Sequence, residues 1–161
     1  MDIANRYKEI WRRVGHTRGF AYFVRYGLAH SDRLIYRLSG GRISSAVIPL
    51  FNWLLITTTG RKTGLPRTTP ILYVRDGDSL VVTSENFGMR KRPAAWPLNL
   101  IANPEATVQI GHGTARYRAR LATEPEADRY WPQLLEQWPP LESYRRRSGK
   151  RYVFVLEPQG Q

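Results

Sequence analysis

The first part of the chain alternates charged and apolar residues with helical spacing. A helix over residues 5–14 would bring four large side chains to one face: Tyr7, Ile10, Trp11 and Val14. A second helix is predicted over residues 31–38, with Ser31 as its N-cap and Gly40-Gly41 after its end. Because no linker or low-complexity tract follows, we expect residues 1–44 to form a helical cover on the domain built by residues 45–161.

From residue 53 onward, the pattern changes to short runs of apolar and β-branched residues that are typical of strands. Six strands are predicted, over residues 53–58, 68–74, 80–83, 107–110, 117–121 and 152–156. Asp76-Gly77 and Gly111-His112-Gly113 have the composition of tight hairpin turns. These features predict an α+β domain in which a small antiparallel barrel carries helices on its outside.

One outer helix is predicted over residues 124–137. Acidic residues and Pro125 stand in its first turn, where they favour the start of a helix. Pro132 lies inside the same pattern and is expected to kink or split this helix, because proline lacks a backbone N–H and clashes with the preceding turn.

Length and composition fit one globular domain. The chain has 161 residues, of which 42% are apolar, and it has no cysteine, which excludes disulfides and thiolate chemistry. Its three histidines lie far apart, so no metal site is expected. No apolar run is long enough to span a membrane, and the N-terminus does not resemble a signal peptide. We therefore expect a cytoplasmic protein.

The formal net charge of +12 is concentrated in the first three quarters of the chain. Residues 1–44 contain nine basic and three acidic side chains, and residues 45–121 contain ten basic and four acidic ones, whereas the remainder is balanced. This distribution indicates an anionic partner. Nucleic acid, an anionic membrane surface and a phosphorylated small molecule all fit the charge, which by itself does not distinguish them.

The densest candidate for chemistry is the loop between the first two predicted strands. Residues 60–67 read Gly-Arg-Lys-Thr-Gly-Leu-Pro-Arg. Glycines let backbone N–H groups approach an anion, and Arg and Lys side chains donate charge-assisted hydrogen bonds to phosphate or carboxylate oxygens. The glycine spacing is not that of a Walker A loop. A solvated basic hairpin turn is the alternative interpretation.

Two further segments contain candidate ligand contacts. Residues 84–100 combine Arg90-Lys91-Arg92 with Trp96, which could stack on a ligand ring or could anchor one end of the barrel. Asn99 is either a ligand contact or a helix residue in contact with solvent. Tyr144 could donate a hydrogen bond or a proton to a substrate, or could be half-buried packing.

The remaining side chains do not form a familiar catalytic set. No Ser/His/Asp arrangement and no pair of carboxylates with catalytic spacing is evident. Hydrolysis by the protein's own groups is therefore not expected. An enzyme built on this chain would rely on a cofactor for the difficult chemistry.

The basic loop and several other segments resemble the deazaflavin (F420)-dependent nitroreductase family of actinobacteria. The likeness lies in residues 36–41, 54–67, 75–77, 99–100, 102–104, 130–134 and 155–158. The resemblance implies a split β-barrel, mostly antiparallel and six-stranded, of the kind found in flavin reductases and pyridoxamine-phosphate oxidases. It also implies coenzyme F420 as cofactor, an 8-hydroxy-5-deazaflavin with a phosphodiester and a polyglutamate tail.

The resemblance also assigns roles by position. Four loop residues would hold the phosphate and the tail: Arg61, Lys62, Thr63 and Arg67. Two strand segments would line the ring and its linker: Thr68, Thr69, Pro70 and Ile71, and Thr83, Ser84 and Glu85. Trp96 and Asn99 would close the pocket near the chromophore. Glu85 departs from the family, which usually has a small polar residue there. The nitroimidazole-reducing member of the family has tyrosines around its substrate. One of these positions is a tyrosine in this chain, Tyr144, whereas the others are Leu72, Trp138 and Leu141.

The sequence therefore predicts an oxidoreductase that transfers a hydride from reduced coenzyme F420 to a small apolar acceptor such as a quinone, an enone or a nitro compound. Tyr144 is the candidate for a hydrogen bond to that substrate. The alternative is a non-catalytic binder of haem, a fatty acid or another apolar ligand on the same fold. Peripheral contact with an anionic membrane at its inner face and a homodimer are left open, and specific nucleic-acid binding is not expected.

Overall fold

A computed structural model describes residues 52–85, 94–149 and 151–160, together with Thr17 and Gly19. From residue 52 onward the element order is β1 (Trp53–Thr59), β2 (Pro66–Asp76), β3 (Ser79–Ser84), α1 (Ala95–Ala102), β4 (Glu105–Ile110), β5 (Gly113–Leu121), α2 (Glu124–Gln137), α3 (Pro140–Ser148) and β6 (Tyr152–Pro158). The helices predicted over residues 5–14 and 31–38, and the boundary at residue 44, lie outside the described residues.

The six strands form one closed antiparallel barrel in the order β1-β2-β3-β6-β5-β4. It closes because β4 pairs with β1, from Leu55↔Gln109 to Thr58↔Ala106. Two-residue turns join β2 to β3 and β4 to β5, and Gly77 and Gly111 adopt positive φ angles of 59° and 57° in them. The predicted strands, hairpins and α+β class are confirmed, although β2 and β5 are longer than their apolar runs indicated.

The barrel interior is filled by alternate residues of the strands, because successive side chains of a strand point to opposite faces. In β1 the burial alternates along the whole strand, with Leu54, Ile56 and Thr58 inward. The largest contributions from β3 and β6 are Leu80, Val82, Phe154 and Leu156. Trp96 and Leu100 of α1 pack into the same interior cluster.

A second apolar cluster lies between the outer face of the barrel and the helices α2 and α3. Val81 of β3 and Val153 and Val155 of β6 contribute to it from the barrel. Strands β3 and β6 are thus buried on both faces, which explains why their sequences are continuously apolar rather than alternating. Tyr144 of α3 belongs to this cluster.

Helix α2 runs without interruption through Pro132 to Gln137. Of the two expected effects of Pro132, a split of the helix is therefore wrong, and a kink stays a prediction. Thr123 and Glu126 close its first turn as a reciprocal capping box, and Ala127, Tyr130, Trp131 and Leu134 are buried against the barrel. Caps and tertiary packing on both sides of Pro132 offset the loss of one backbone hydrogen bond.

Candidate functional site

Strands β2 and β3 part at one end of the barrel. Their pairing extends only as far as Tyr73↔Val82. Beyond that point β3 continues to Ser84 beside β6, and the first half of β2 runs beside β1 to Pro66. We call this place the β2–β3 fork, formed by residues 66–72 and 83–85. The two strand segments that the resemblance assigned to the ring lie on either side of this fork.

On the β2 side of the fork, residues 66–72 pair with β1 but not with β3. Tyr73 N–H donates to the carbonyl of Asn52, 3.0 Å away, on the β1 side. Antiparallel alternation then directs the backbone groups of Thr68, Pro70 and Leu72 away from β1, toward the fork. Pro70 suits this edge because it has no N–H to pair. The side chain of Ile71, by contrast, is buried in the barrel interior, and Thr69 is half-buried.

The basic loop between β1 and β2 lies at the same end of the barrel as the fork. Gly60 N–H donates to Leu65 O at 2.8 Å, and Gly60 O accepts from Thr63 N–H and Gly64 N–H at 3.1 and 2.7 Å. A Cβ at Gly60 would come within 2.8 Å of Thr63 Oγ1 and 3.0 Å of Leu65 O, so a larger residue would require the Thr63 side chain and the Leu65 carbonyl to shift. Gly64 has a φ of 67°, a conformation that glycine adopts without strain.

The loop offers side-chain cations rather than a cradle of backbone N–H groups. Its N–H groups at five positions donate within the protein: Gly60, Arg61, Thr63, Gly64 and Leu65. The side chains of Arg61, Lys62 and Arg67 are exposed. An anion at this loop would therefore meet guanidinium and ammonium groups on a rigid turn, and the sequence-based expectation that glycines expose N–H groups to it is wrong.

Asn99 of α1 joins the loop from inside the protein. Its Oδ1 accepts the Arg61 N–H at 3.1 Å, and its Nδ2 donates to Thr58 Oγ1 at 3.0 Å. Asn99 is 2% exposed, so the interpretation of a helix residue in contact with solvent is wrong. Thr58 is not among the predicted site residues, although a threonine on the inward face of an apolar strand is a signal for a buried polar partner.

The β3 side of the fork ends in a buried carboxyl group. Glu85 is 2% exposed, and its side chain contacts the Thr83 hydroxyl, which also lies 3.1 Å from the carbonyl of Tyr152. Burial raises the pKa of Glu85 to about 8, although the hydrogen bonds from Thr83 and from its own backbone N–H, and the charges of Arg151 and Arg145, act to lower it. Glu85 is therefore mostly protonated at neutral pH. Ser84 beside it is also buried.

Tyr144 is more deeply buried than the half-buried position that the sequence suggested. It is 3% exposed, and the Arg147 guanidinium lies 5.3 Å from its ring centroid. Burial raises the pKa of Tyr144, against the effects of a hydrogen bond with Trp138 and the Arg147 charge, and Glu85 adds to the rise. The structure thus places Tyr144 among packing residues near Glu85.

An arginine-rich cavity of about 390 Å³ lies where α3 ends and β6 begins. Its described lining consists of Arg145, Arg146, Gly149 and Arg151. These arginines are paired with carboxylates: Arg145 and Arg146 with Glu142, and Arg151 with Glu124 at 2.7 Å and Asp128 at 2.9 Å. The cavity therefore has little uncompensated charge. The spacing of residues along the sequence gave no indication of this cavity.

Trp96 serves as an interior anchor. It is 5% exposed, and its ring centroid lies 5.7 Å from that of Phe154. The cations Arg90-Lys91-Arg92 of the same segment lie outside the described residues. No helix among the described residues is long and apolar enough to cross a bilayer.

Comparison with known proteins gives one consistent result. The model of a family described as F420H(2)-dependent quinone reductase matches residues 30–158 of the chain. An F420H(2)-dependent quinone reductase from Mycobacterium tuberculosis strain H37Rv is 40% identical over 77 residues, which are 48% of this chain and 51% of the relative. The match thus spans about half the length of this relative and of the equally similar protein from Mycobacterium bovis.

Two solved structures share the fold. An F420-H2 dependent reductase is 28% identical, superposes with a TM-score of 0.58, and is matched over 66% of this chain and 94% of its own. A structure described as a domain-swapped dimer is 26% identical with a TM-score of 0.61, over 78% of this chain and 95% of its own.

Proposed function

The chain belongs to the F420H(2)-dependent quinone reductase family, and from this membership we propose that it transfers a hydride from reduced coenzyme F420 to a quinone or a comparable small apolar acceptor. The observation that carries the proposal is the set of exposed cations, Arg61, Lys62 and Arg67, on a hydrogen-bonded turn beside the β2–β3 fork. When bound, the coenzyme would supply the hydride, and the protein would supply position and exclusion of water.

The polar groups of the basic loop and of the β2–β3 fork fit the chemical groups of this coenzyme. Guanidinium and ammonium groups suit the phosphodiester and the carboxylates of the tail. The backbone edge of Thr68, Pro70 and Leu72 suits a polar ring that needs in-plane hydrogen bonds. Glu85 at the far side of the fork is mostly neutral at pH 7 and adds little negative charge next to an anionic ligand. We therefore assign the tail to the loop and the ring to the fork.

The test is a titration of the protein with oxidised coenzyme F420, followed by the loss of its fluorescence. We expect the Arg61→Ala/Lys62→Ala double variant to bind at least tenfold more weakly, about 1.4 kcal/mol, because the tail loses two exposed cations. The control for net charge is Arg75→Ala/Arg129→Ala, which removes two exposed cations near the β2–β3 turn, at the other end of β2 from the basic loop. Absence of binding to the wild-type protein, together with a haem absorbance band after reconstitution, would support the alternative of a non-catalytic binder.

Tyr144 is proposed to hydrogen-bond the acceptor. Support comes from its charge interaction with Glu85, which ends the β3 side of the fork. Tyr144→Phe is expected to lower the turnover of a quinone substrate about tenfold, with unchanged affinity for the coenzyme. Equal turnover of the two proteins would remove this role and leave Tyr144 as a packing residue.

Assembly and location are proposed from coarser observations. A homodimer is supported by the likeness to a structure described as a domain-swapped dimer. A cytoplasmic location with peripheral contact to an anionic membrane is supported by the nine basic residues among positions 1–44. Sedimentation of the full chain without vesicles tests the homodimer, which a monomer would contradict. Sedimentation with vesicles that contain anionic lipid tests the membrane contact, which a protein that stays in the supernatant would contradict.

A further inference from the structure

We propose that Asn99 is a positioning residue for the coenzyme tail, which acts through the backbone of the basic loop and not by touching the coenzyme. This inference rests on the proposed function. It differs from the role that the resemblance implied, in which Asn99 closes the pocket near the chromophore.

Both polar ends of the Asn99 side chain are engaged by protein. The carbonyl end accepts the Arg61 N–H at 3.1 Å, and the amide end donates to Thr58 Oγ1 at 3.0 Å. Asn99 and Thr58 are 2% and 1% exposed. A buried amide that lost these partners would be costly, so the arrangement strongly favours a single side-chain position.

The hydrogen bonds reach both stems of the loop. Arg61 is the second residue after β1, and the Thr58 hydroxyl lies 3.5 Å from the carbonyl of Arg67 at the start of β2. One side chain of α1 is thereby connected to the backbone on both sides of the turn. The Arg61 N–H donates to Asn99, so it is not available for a hydrogen bond within the β1–β2 hairpin.

Positioning matters here because the ligand-facing groups are long, exposed side chains. Arg61 and Lys62 lose conformational freedom when they hold an anion, and the cost grows if the backbone beneath them also moves. A backbone fixed by Asn99 removes that part of the cost before binding. The residue types fit this task, since asparagine alone among residues of its size supplies an acceptor and a donor at the same branch point.

The test compares two ligands on two variants. Asn99→Leu keeps the size of the side chain and removes both hydrogen bonds, whereas Thr58→Val removes the bond at the amide end together with the Thr58–Arg67 contact and leaves the bond to the Arg61 N–H in place. We expect Asn99→Leu to bind coenzyme F420 at least fivefold more weakly, and to bind the 8-hydroxy-5-deazaflavin compound that lacks the phosphodiester and the polyglutamate tail within twofold of wild type. Thr58→Val should weaken coenzyme binding less than Asn99→Leu does and should bind the tail-less compound within twofold of wild type. An equal loss for both ligands would overturn the proposal and make Asn99 a general structural residue.

A second readout does not involve the ligand. In the free protein, hydrogen exchange at the Arg61 amide should be slow in wild type and in Thr58→Val, and at least tenfold faster in the Asn99 variant. Asn99→Ser, which is too short to reach Arg61, replaces Asn99→Leu if the latter does not fold. Unchanged exchange would contradict the proposal.

A double-mutant cycle links the two proposals. If Asn99 acts through the loop cations, Asn99→Leu should weaken coenzyme binding less than twofold further when it is introduced into the Arg61→Ala/Lys62→Ala variant. Fully additive losses would show that Asn99 acts elsewhere. A wild-type protein that binds no coenzyme would count against the proposed function, while the exchange measurement would still decide whether Asn99 fixes the loop.

Discussion

The basic loop lies at the same end of the barrel as the Glu85 corner, which is formed by Glu85, Thr83 and Tyr152. Ionisable side chains are exposed in the loop, whereas the carboxyl group of Glu85 is buried in the corner. The loop holds Arg61 and Lys62 in water on a backbone fixed by internal hydrogen bonds. The corner buries Glu85 between β3, β6 and α3, where burial raises its pKa to about 8. The comparison shows that a residue with an ionisable side chain is exposed to solvent in one place and is a mostly neutral buried group in the other.

The surroundings of each region explain the difference. The loop cations are exposed and keep their hydration, so their contribution to folding is small. Glu85 is enclosed with Thr83 and the Tyr152 carbonyl on one side. Tyr144, Arg145 and Arg151 interact with it from the neighbouring elements. When protonated, Glu85 can donate to Thr83 and leave the threonine hydrogen for the carbonyl, which satisfies the buried polar groups without a full charge.

The largest expected effect concerns the pH dependence of stability. The pKa of Glu85 is higher in the folded protein than the 4.5 of the unfolded chain, so the folded state binds this proton more tightly. The resulting stability is fully present below pH 4.5 and is lost as pH rises through about 8. Relative to Glu85→Gln, the wild-type protein should lose about 3 kcal/mol of unfolding free energy between pH 5 and pH 8.

Urea denaturation of both proteins at several pH values measures this difference. Thr83→Val provides a matched comparison, because removal of a hydrogen bond that favours the ionised form should raise the pKa of Glu85 further and steepen the dependence. Parallel curves for wild type and Glu85→Gln would mean that Glu85 is ionised in the fold, and the contrast with the loop would disappear.

A smaller effect is expected from the backbone of the loop. Gly60→Ala brings a Cβ against Thr63 Oγ1 and Leu65 O, and should destabilise the protein by about 2 kcal/mol and weaken coenzyme binding. Gly77→Ala, in the β2–β3 turn, has open space around the Cβ but a φ of 59°, and should cost about 1 kcal/mol with no change in affinity. If the two variants bind the coenzyme equally well, the geometry of the loop is not important for binding.

The smallest effect is expected from the exposed loop cations on folding. Lys62→Ala should change the unfolding free energy by less than about 0.5 kcal/mol, because the side chain is exposed. Its affinity for the coenzyme should also depend less on salt than that of wild type, since one screened attraction is missing. A stability loss as large as that of Gly60→Ala would show that Lys62 has a structural partner in the fold.

Local patterns predicted most of the barrel. The apolar run of β1, the Asp76-Gly77 turn and the acidic first turn of α2 depend on neighbours within a few residues, and the structure has each of them where the sequence indicated. The split expected at Pro132 does not occur, because the packing on either side of this residue is a tertiary property. The basic loop was also recognised from the sequence, since its glycines and cations are adjacent.

The roles of Asn99 and Glu85 were not predictable in the same way. Asn99 meets Arg61 across 38 positions of sequence, and only the packing of α1 against the barrel brings the two together. Glu85 has an ordinary sequence context at the end of a strand, and its proton affinity comes from elements that arrive much later in the chain.

The sequence by itself determined the strands, the turns, the family likeness and the location of the exposed cations, because hydrophobic periodicity and turn chemistry are properties of adjacent residues. Only the tertiary structure decided which polar groups are buried, which N–H groups of the loop are already used and which end of the barrel collects the candidate site. Burial and hydrogen bonding depend on distances between residues that are remote in the chain, and a one-dimensional pattern does not contain those distances.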